Sequence, residues 1–238
     1  PAEVQATAAA GRVVAQLAAM QPDKVIGALL IDAIVGDEWD LMVNVFRLNP
    51  LLLPMLGAGL VADTVTTLPL FRDPVQAVKL GRLVAPTYVS HALQPWRLLG
   101  PAASILRSKG SKSILDELAR QEVPTFVIQG GLDLIVPHRT AVSAARRANG
   151  QLVTVHNASH SWLLKDPETL PAIVSDLLDD RLGAAVRQAI HGAGAGSIED
   201  IEAHLYEPDA PIRALTPALT FTRLNDAHRR PRYRWTIT

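Results

Sequence analysis

Pro124-Thr-Phe-Val-Ile-Gln129 is an apolar run of strand length that stops on Gly130-Gly131, and Gln151-Leu-Val-Thr-Val-His156 is a second such run. Between them lies an Ala-rich stretch, Arg139 to Asn149, which the composition predicts to be a helix with Gly150 as its C-cap. Continuous apolar runs without polar alternation suit parallel strands covered on both faces. Working upstream, Lys24-Val-Ile-Gly-Ala-Leu-Leu-Ile-Asp32 is another buried strand by the same criterion. It follows a helix over Arg12–Met20, with apolar Val13, Val14, Leu17 and Ala18, that Pro22 closes. Downstream, Asp166 to Leu178 reads as a helix with Pro167 near its first position. Strands alternating with helices give an α/β class with a mainly parallel sheet.

The segment between these blocks differs. From 37 to about 121 the chain is divided by Pro50, Pro54, Pro69, Pro74, Pro86, Pro95 and Pro101 into short helical pieces, with no convincing strand. After Asp180 the periodicity fades. Gly192-Ala-Gly-Ala-Gly196 reads as a flexible link, Ser197 to Leu205 as the start of a helix, and Arg229 to Trp235 as a basic aromatic tail that pairs with acidic surface or stays mobile. The organisation expected is therefore an α/β core at 1–36 and 122–180, a helical insertion at 37–121, and a C-terminal extension at 181–238.

Composition narrows the function classes. The chain has 238 residues, 48% hydrophobic, with 23 basic and 23 acidic side chains. That balance offers no general attraction to nucleic acid. Cysteine is absent, which excludes disulfides and thiolate metal sites and fits a reducing, cytoplasmic setting. The seven His residues show no metal-ligand spacing. No apolar run reaches the roughly 18 residues of a membrane span, and the most apolar stretch, Leu51 to Ala62, is short and interrupted by Pro54. Gly57-Ala-Gly59-Leu-Val-Ala62 matches a dinucleotide fingerprint, but it follows a proline-broken helical stretch instead of a strand and carries no weight.

Chemistry concentrates at two strand ends. In parallel sheets, functional groups gather at the carboxyl edge. Asp133 follows the first run after Gly130-Gly131, where two glycines permit a sharp turn. His160 follows the second run in His156-Asn-Ala-Ser-His160. An Asp in such a loop is ordinarily a turn former, and a loop His is ordinarily solvated. Together, on consecutive strand ends, a carboxylate that orients an imidazole is the acid–base half of a nucleophilic triad.

The stretches Val123–Pro137 and Asn157–Glu168 resemble the acid-bearing loop and the histidine loop of α/β-hydrolases, and Gly11–Val25 resembles the helix after that family's nucleophile elbow. They occur in the family's order, and the insertion at 37–121 sits where the family carries a helical cap. The resemblance spans residues 11 to 178. It implies an α/β-hydrolase-like fold and hydrolysis of an ester-like bond in a small hydrophobic substrate. Under it Asp133 orients His160, His160 serves as base then acid, and no cofactor or metal is required. Apolar cap residues such as Leu51, Leu53, Met55 and Leu60 would line the hydrophobic side of the pocket.

One departure is plain. The family's elbow reads G-x-S-x-G. Alignment through Gly11 puts the nucleophile position at Ala8, which has no nucleophilic atom, and the first oxyanion donor at the backbone N–H of Ala9. Thr7 is one position out of register. The chain is then an altered or partial hydrolase, or a non-catalytic binding relative. Epoxide hydrolases and dehalogenases, with an Asp at the elbow, stay open as alternatives. Without the strand that precedes the elbow, the edge of the strand at Val25–Ile31 is expected to be covered by additional polypeptide or by self-association.

Overall fold

The computed structural model describes residues 3–67, 74–107, 109–192 and 231–238. It is an α/β structure whose mainly parallel sheet is flanked by helices. Helix α1 (Glu3–Met20) leads to β1 (Ala28–Ile31). Five helices follow, α2 (Asp37–Leu48), α3 (Leu53–Thr67), α4 (Pro74–Leu93), α5 (Leu99–Arg107) and α6 (Lys112–Arg120). Then come β2 (Thr125–Gly130), α7 (His138–Arg147), β3 (Gln151–Val155), α8 (Trp162–Lys165), α9 (Thr169–Leu178), α10 (Arg181–Gly192) and β4 (Trp235–Ile237).

The strand order is β1-β2-β3-β4. Leu29 of β1 pairs with Phe126 of β2, and Val127 pairs with Leu152 of β3, all in parallel. Alternate residues along each strand serve opposite layers. Leu30, Val127 and Leu152 pack on Ala15 and Ala18 of α1, Leu115 and Leu118 of α6, and the alanine face of α7. Phe126, Ile128, Val153 and Val155 pack on Trp162, Ile173, Leu177 and Leu182 from α8, α9 and α10. The small side chains of α7 let that helix approach the sheet closely. Every residue of β2 is buried, as its unbroken apolar run demands.

Several expectations need correction. The first strand is only Ala28–Ile31, because Pro22–Lys24 is spent on a 3₁₀ turn. Helix α7 ends in a Schellman arrangement in which Asn149, at φ 52°, takes the left-handed position and the Gly150 N–H donates to Ala145 O at 2.8 Å. Gly150 is needed for a different reason: a Cβ there would lie 2.4 Å from the Thr125 carbonyl oxygen. The region after Asp180 is not patternless, since Leu182 and Ile190 of α10 are buried. The basic aromatic tail ends in a strand: β4 pairs antiparallel with β3, Val155 opposite Trp235. The reason is the otherwise open edge of β3, whose Leu152 exchanges two hydrogen bonds with Thr238, each 2.9 Å. The link at Gly192–Gly196 and the helix expected at Ser197–Leu205 fall, apart from Gly192, outside the described residues. The discounted fingerprint glycines, Gly57 and Gly59, lie inside α3.

Tyr233 sits edge-on to the fully buried Trp162, with ring centroids 6.2 Å apart. Deleting residues 231–238 is therefore expected to cost about 2–4 kcal/mol, from lost apolar burial of Tyr233, Trp235 and Ile237. That corresponds to a melting temperature lower by about 5–10 °C. Thermal unfolding followed by circular dichroism checks this, and an unchanged melting temperature would show that β4 contributes nothing.

Candidate active site

The site is built at the carboxyl ends of β1, β2 and β3. Asp133 follows β2 and is 4% exposed. Its Oδ1 accepts the backbone N–H groups of Ile135 and Val136, each at 2.8 Å. Its Oδ2 accepts Gln129 Nε2–H at 2.7 Å and His160 Nδ1–H at 2.8 Å. One oxygen thus forms the turn and the other meets the histidine, so the ordinary role of a loop Asp and the special one coexist. An ionised carboxylate only accepts, which fixes Nδ1 as the protonated ring nitrogen. The His160 Nε2 has no hydrogen-bond partner among the described residues.

Gly130 earns its place by close approach and not by turning. Neither Gly130 nor Gly131 is among the residues with positive φ. A Cβ on Gly130 would lie 2.7 Å from the Ala158 carbonyl oxygen and 2.8 Å from that of Ser159. Only glycine lets the histidine loop settle this close to β2. The loop is anchored from the other side too, as Leu132 N–H donates to Ala158 O at 2.9 Å.

Electrostatics around the imidazole are acidic. Burial opposes the charged ring, but the hydrogen bond and charge of Asp133 and the charges of Asp32 and Asp63 outweigh it, raising the His160 pKa. Asp32 has no counterpart in the sequence reading beyond being the end of the first strand run. It sits just past β1 in the left-handed region, φ 44°, and is 3% exposed. Its Oδ1 accepts Gly130 N–H at 3.0 Å and its Oδ2 accepts Trp162 Nε1–H at 2.7 Å. It thereby ties the end of β1 to the end of β2 and to the first residue of α8. Gln129 was also missed: buried within β2, it gives its amide N–H groups to Asp133 and to Val136 O at 3.0 Å. The strand-end rule that singled out Asp133 applies equally to Asp32. Gln129 carries no comparable signal, because its partners come from the loop's fold.

The residues aligned with the elbow lie elsewhere in character. Ala8 and Ala9 fall within α1, so the strand-to-helix turn expected there is replaced by helix. The stretch Glu3–Ala10 holds four alanines with one Glu and one Gln, all strong helix formers. Among the described residues, β1 pairs only with β2, leaving its other edge open. No group of three or more His, Asp or Glu arranged to hold a metal occurs among the described residues.

Burial pushes the Asp32 pKa up to about 7; the His160 charge lowers it, the Asp133 charge adds to the rise, and the Gly130 and Trp162 donors lower it. The folded chain therefore holds this proton to higher pH than the unfolded chain, whose value is near 3.8. Its contribution to stability is complete below about pH 4 and is lost as pH rises toward 7. Asp32→Asn removes that titration while orphaning one donor, at a cost of about 1–3 kcal/mol. The stability difference between the native chain and this variant should shrink as pH rises from about 4 to about 7.5. Urea unfolding across that range measures it, and a constant or widening difference would contradict the assignment.

No protein-family model matches the chain. A curated protein, the putative non-heme haloperoxidase of Mycobacterium phage D29, is 28% identical to it over 202 residues. The match covers 77% of this chain and 64% of that protein, so the chain spans less than two thirds of its relative's length. Together with the mainly parallel, helix-flanked sheet, this similarity suggests the α/β-hydrolase fold family.

Proposed function

We propose that this chain carries the acid–base half of a hydrolase site for an ester-like bond in a small hydrophobic substrate. The observation that carries the reading is the 2.8 Å contact between His160 Nδ1 and Asp133 Oδ2 at adjacent parallel strand ends, with Nε2 left without a partner among the described residues. In this scheme Nε2 takes a proton from a serine nucleophile as it attacks the acyl carbon, then returns it to the departing alkoxide. A water deprotonated by the same nitrogen then releases the acid. Asp133 keeps the proton on Nδ1 and stabilises the imidazolium. The position expected for the serine is Ala8, so the nucleophile must come from other polypeptide. Among the described residues β1 pairs only with β2, which supports this, since a further parallel strand can add to its other edge. The helical region 37–121 acts as a cap, its apolar side chains lining the substrate's hydrophobic side. The relative named as a haloperoxidase is in keeping with an enzyme of this general type.

A second reading has one specific observation in its favour. Helix α1 continues through Ala8 and Ala9, leaving no exposed backbone donor of the elbow kind at that point. A silent binding module using the same site would look the same there.

The 238-residue chain alone is expected to be nearly inert toward short activated esters, about 10⁶-fold below a complete triad, because single-residue loss of the nucleophile already has that effect. His160→Ala should change its residual rate little. A fluorophosphonate probe should leave no adduct on it. Robust His160-dependent turnover, or a labelled hydroxyl with Thr7 the first to inspect, would show that the nucleophile lies within the chain.

A further inference from the structure

Helix α3 is arranged inside out for a surface helix. Residues Pro50–Thr67 are apolar overall, with a mean hydropathy of 1.3, yet the polar Thr64 and Thr67 are buried, at 1% and 5% exposure. Its apolar Met55, Val61 and Val65 are exposed. An amphipathic helix ordinarily does the reverse. The buried polar face of α3 meets the histidine loop. Asp63 Oδ2 accepts the Ser161 backbone N–H at 2.8 Å. Thr64 Oγ1 lies 3.2 Å from Ser161 Oγ, and Thr67 Oγ1 lies 3.0 Å from Ser159 Oγ. These partners flank His160 on both sides.

Hydroxyl bookkeeping fixes the direction of these bonds. Thr64 donates its one proton to Leu60 O at 2.9 Å, and Thr67 donates to Asp63 O at 2.6 Å. Each serine is then the donor to its threonine. Thr64 Oγ1 also accepts Tyr88 Oη–H from α4 at 2.8 Å, which fills both of its lone pairs. Back-bonding of a threonine to the carbonyl four residues earlier is commonplace in helices. The contact from Asp63 is not, as it crosses 98 residues to a loop N–H.

From this geometry we infer that Asp63, Thr64 and Thr67 of α3 are positioning residues that hold the segment Ser159–Ser161 and so set the orientation of His160. The inference rests on the reading of His160 as the base. It makes the helical region more than a pocket wall: displacement of α3 would remove three anchors from the loop at once. Among the described residues, the acidic groups that act on the imidazole are Asp133 after β2, Asp32 after β1 and Asp63 on α3, so α3 contributes one of the carboxylates that favour the imidazolium.

Hydrogen exchange and histidine NMR on the whole chain test this. In Asp63→Ala, exchange in the peptide spanning 157–163 should accelerate about tenfold or more, and the His160 pKa should fall. Asp63→Asn keeps an oxygen acceptor for Ser161 without the charge, so exchange should return toward the original rate while the pKa stays low. Thr67→Val, close in shape, should also speed exchange, and it carries the test if the Asp63 variants fail to fold. Unchanged exchange in both Asp63→Ala and Thr67→Val, with the His160 pKa still elevated, overturns the positioning role alone. A His160 tautomer with its proton on Nε2 in the unmodified chain, read from the ring-nitrogen shifts, overturns the base assignment and the positioning role with it.

Discussion

A strand buried along its whole length has no water to satisfy the polar groups where it ends, and β2 imposes that constraint on everything around it. The Gly130 N–H goes to Asp32, the Gln129 amide N–H groups to Asp133 and Val136 O, and the Asp133 carboxylate to two backbone N–H groups, Gln129 and His160. Each bond answers a desolvation cost, and together they hold His160 Nδ1 against Asp133, leaving Nε2 without a partner among the described residues. Orientation of the histidine is thus a by-product of hydrogen-bond satisfaction at the end of the central strand.

The same logic explains why glycine must stand at 130. The histidine loop can share the β2 terminus only if its carbonyls come within contact distance of the strand's backbone, and a side chain there would hold them off. Close approach in turn buries Asp32 and brings its carboxylate into the field of His160. A buried carboxyl that binds two donors is a compromise: desolvation favours its neutral form, the donors and the imidazolium its charged one. Its balance near neutrality marks the most strongly perturbed acid beside the histidine.

Two edges of the structure behave differently. β3 acquires a covering strand from the last residues of the chain, which also lay Tyr233 against Trp162 beneath the histidine loop. β1 has no such cover among the described residues.

The β2 and β3 runs were legible because a parallel strand buried on both faces must be apolar throughout, a one-dimensional property. Asp133 and His160 stood out because they follow those runs directly. The helical character of 37–121 was legible from its prolines and helix formers. Other features had no local signature. Trp235-Thr-Ile237 is a strand because β3 offers it unmet hydrogen bonds, which a basic tail does not announce. α10 depends on Leu182 reaching the face of the sheet that carries Phe126 and Ile128. Asp63 reads as an ordinary polar residue on an apolar helix until that helix docks on a loop 98 positions away. The sequence by itself determined which segments must be buried and which residue types stand at their ends. Only the tertiary structure decided which of those residues meet, because hydrogen-bond partners across the chain are set by how the layers pack and not by spacing along it.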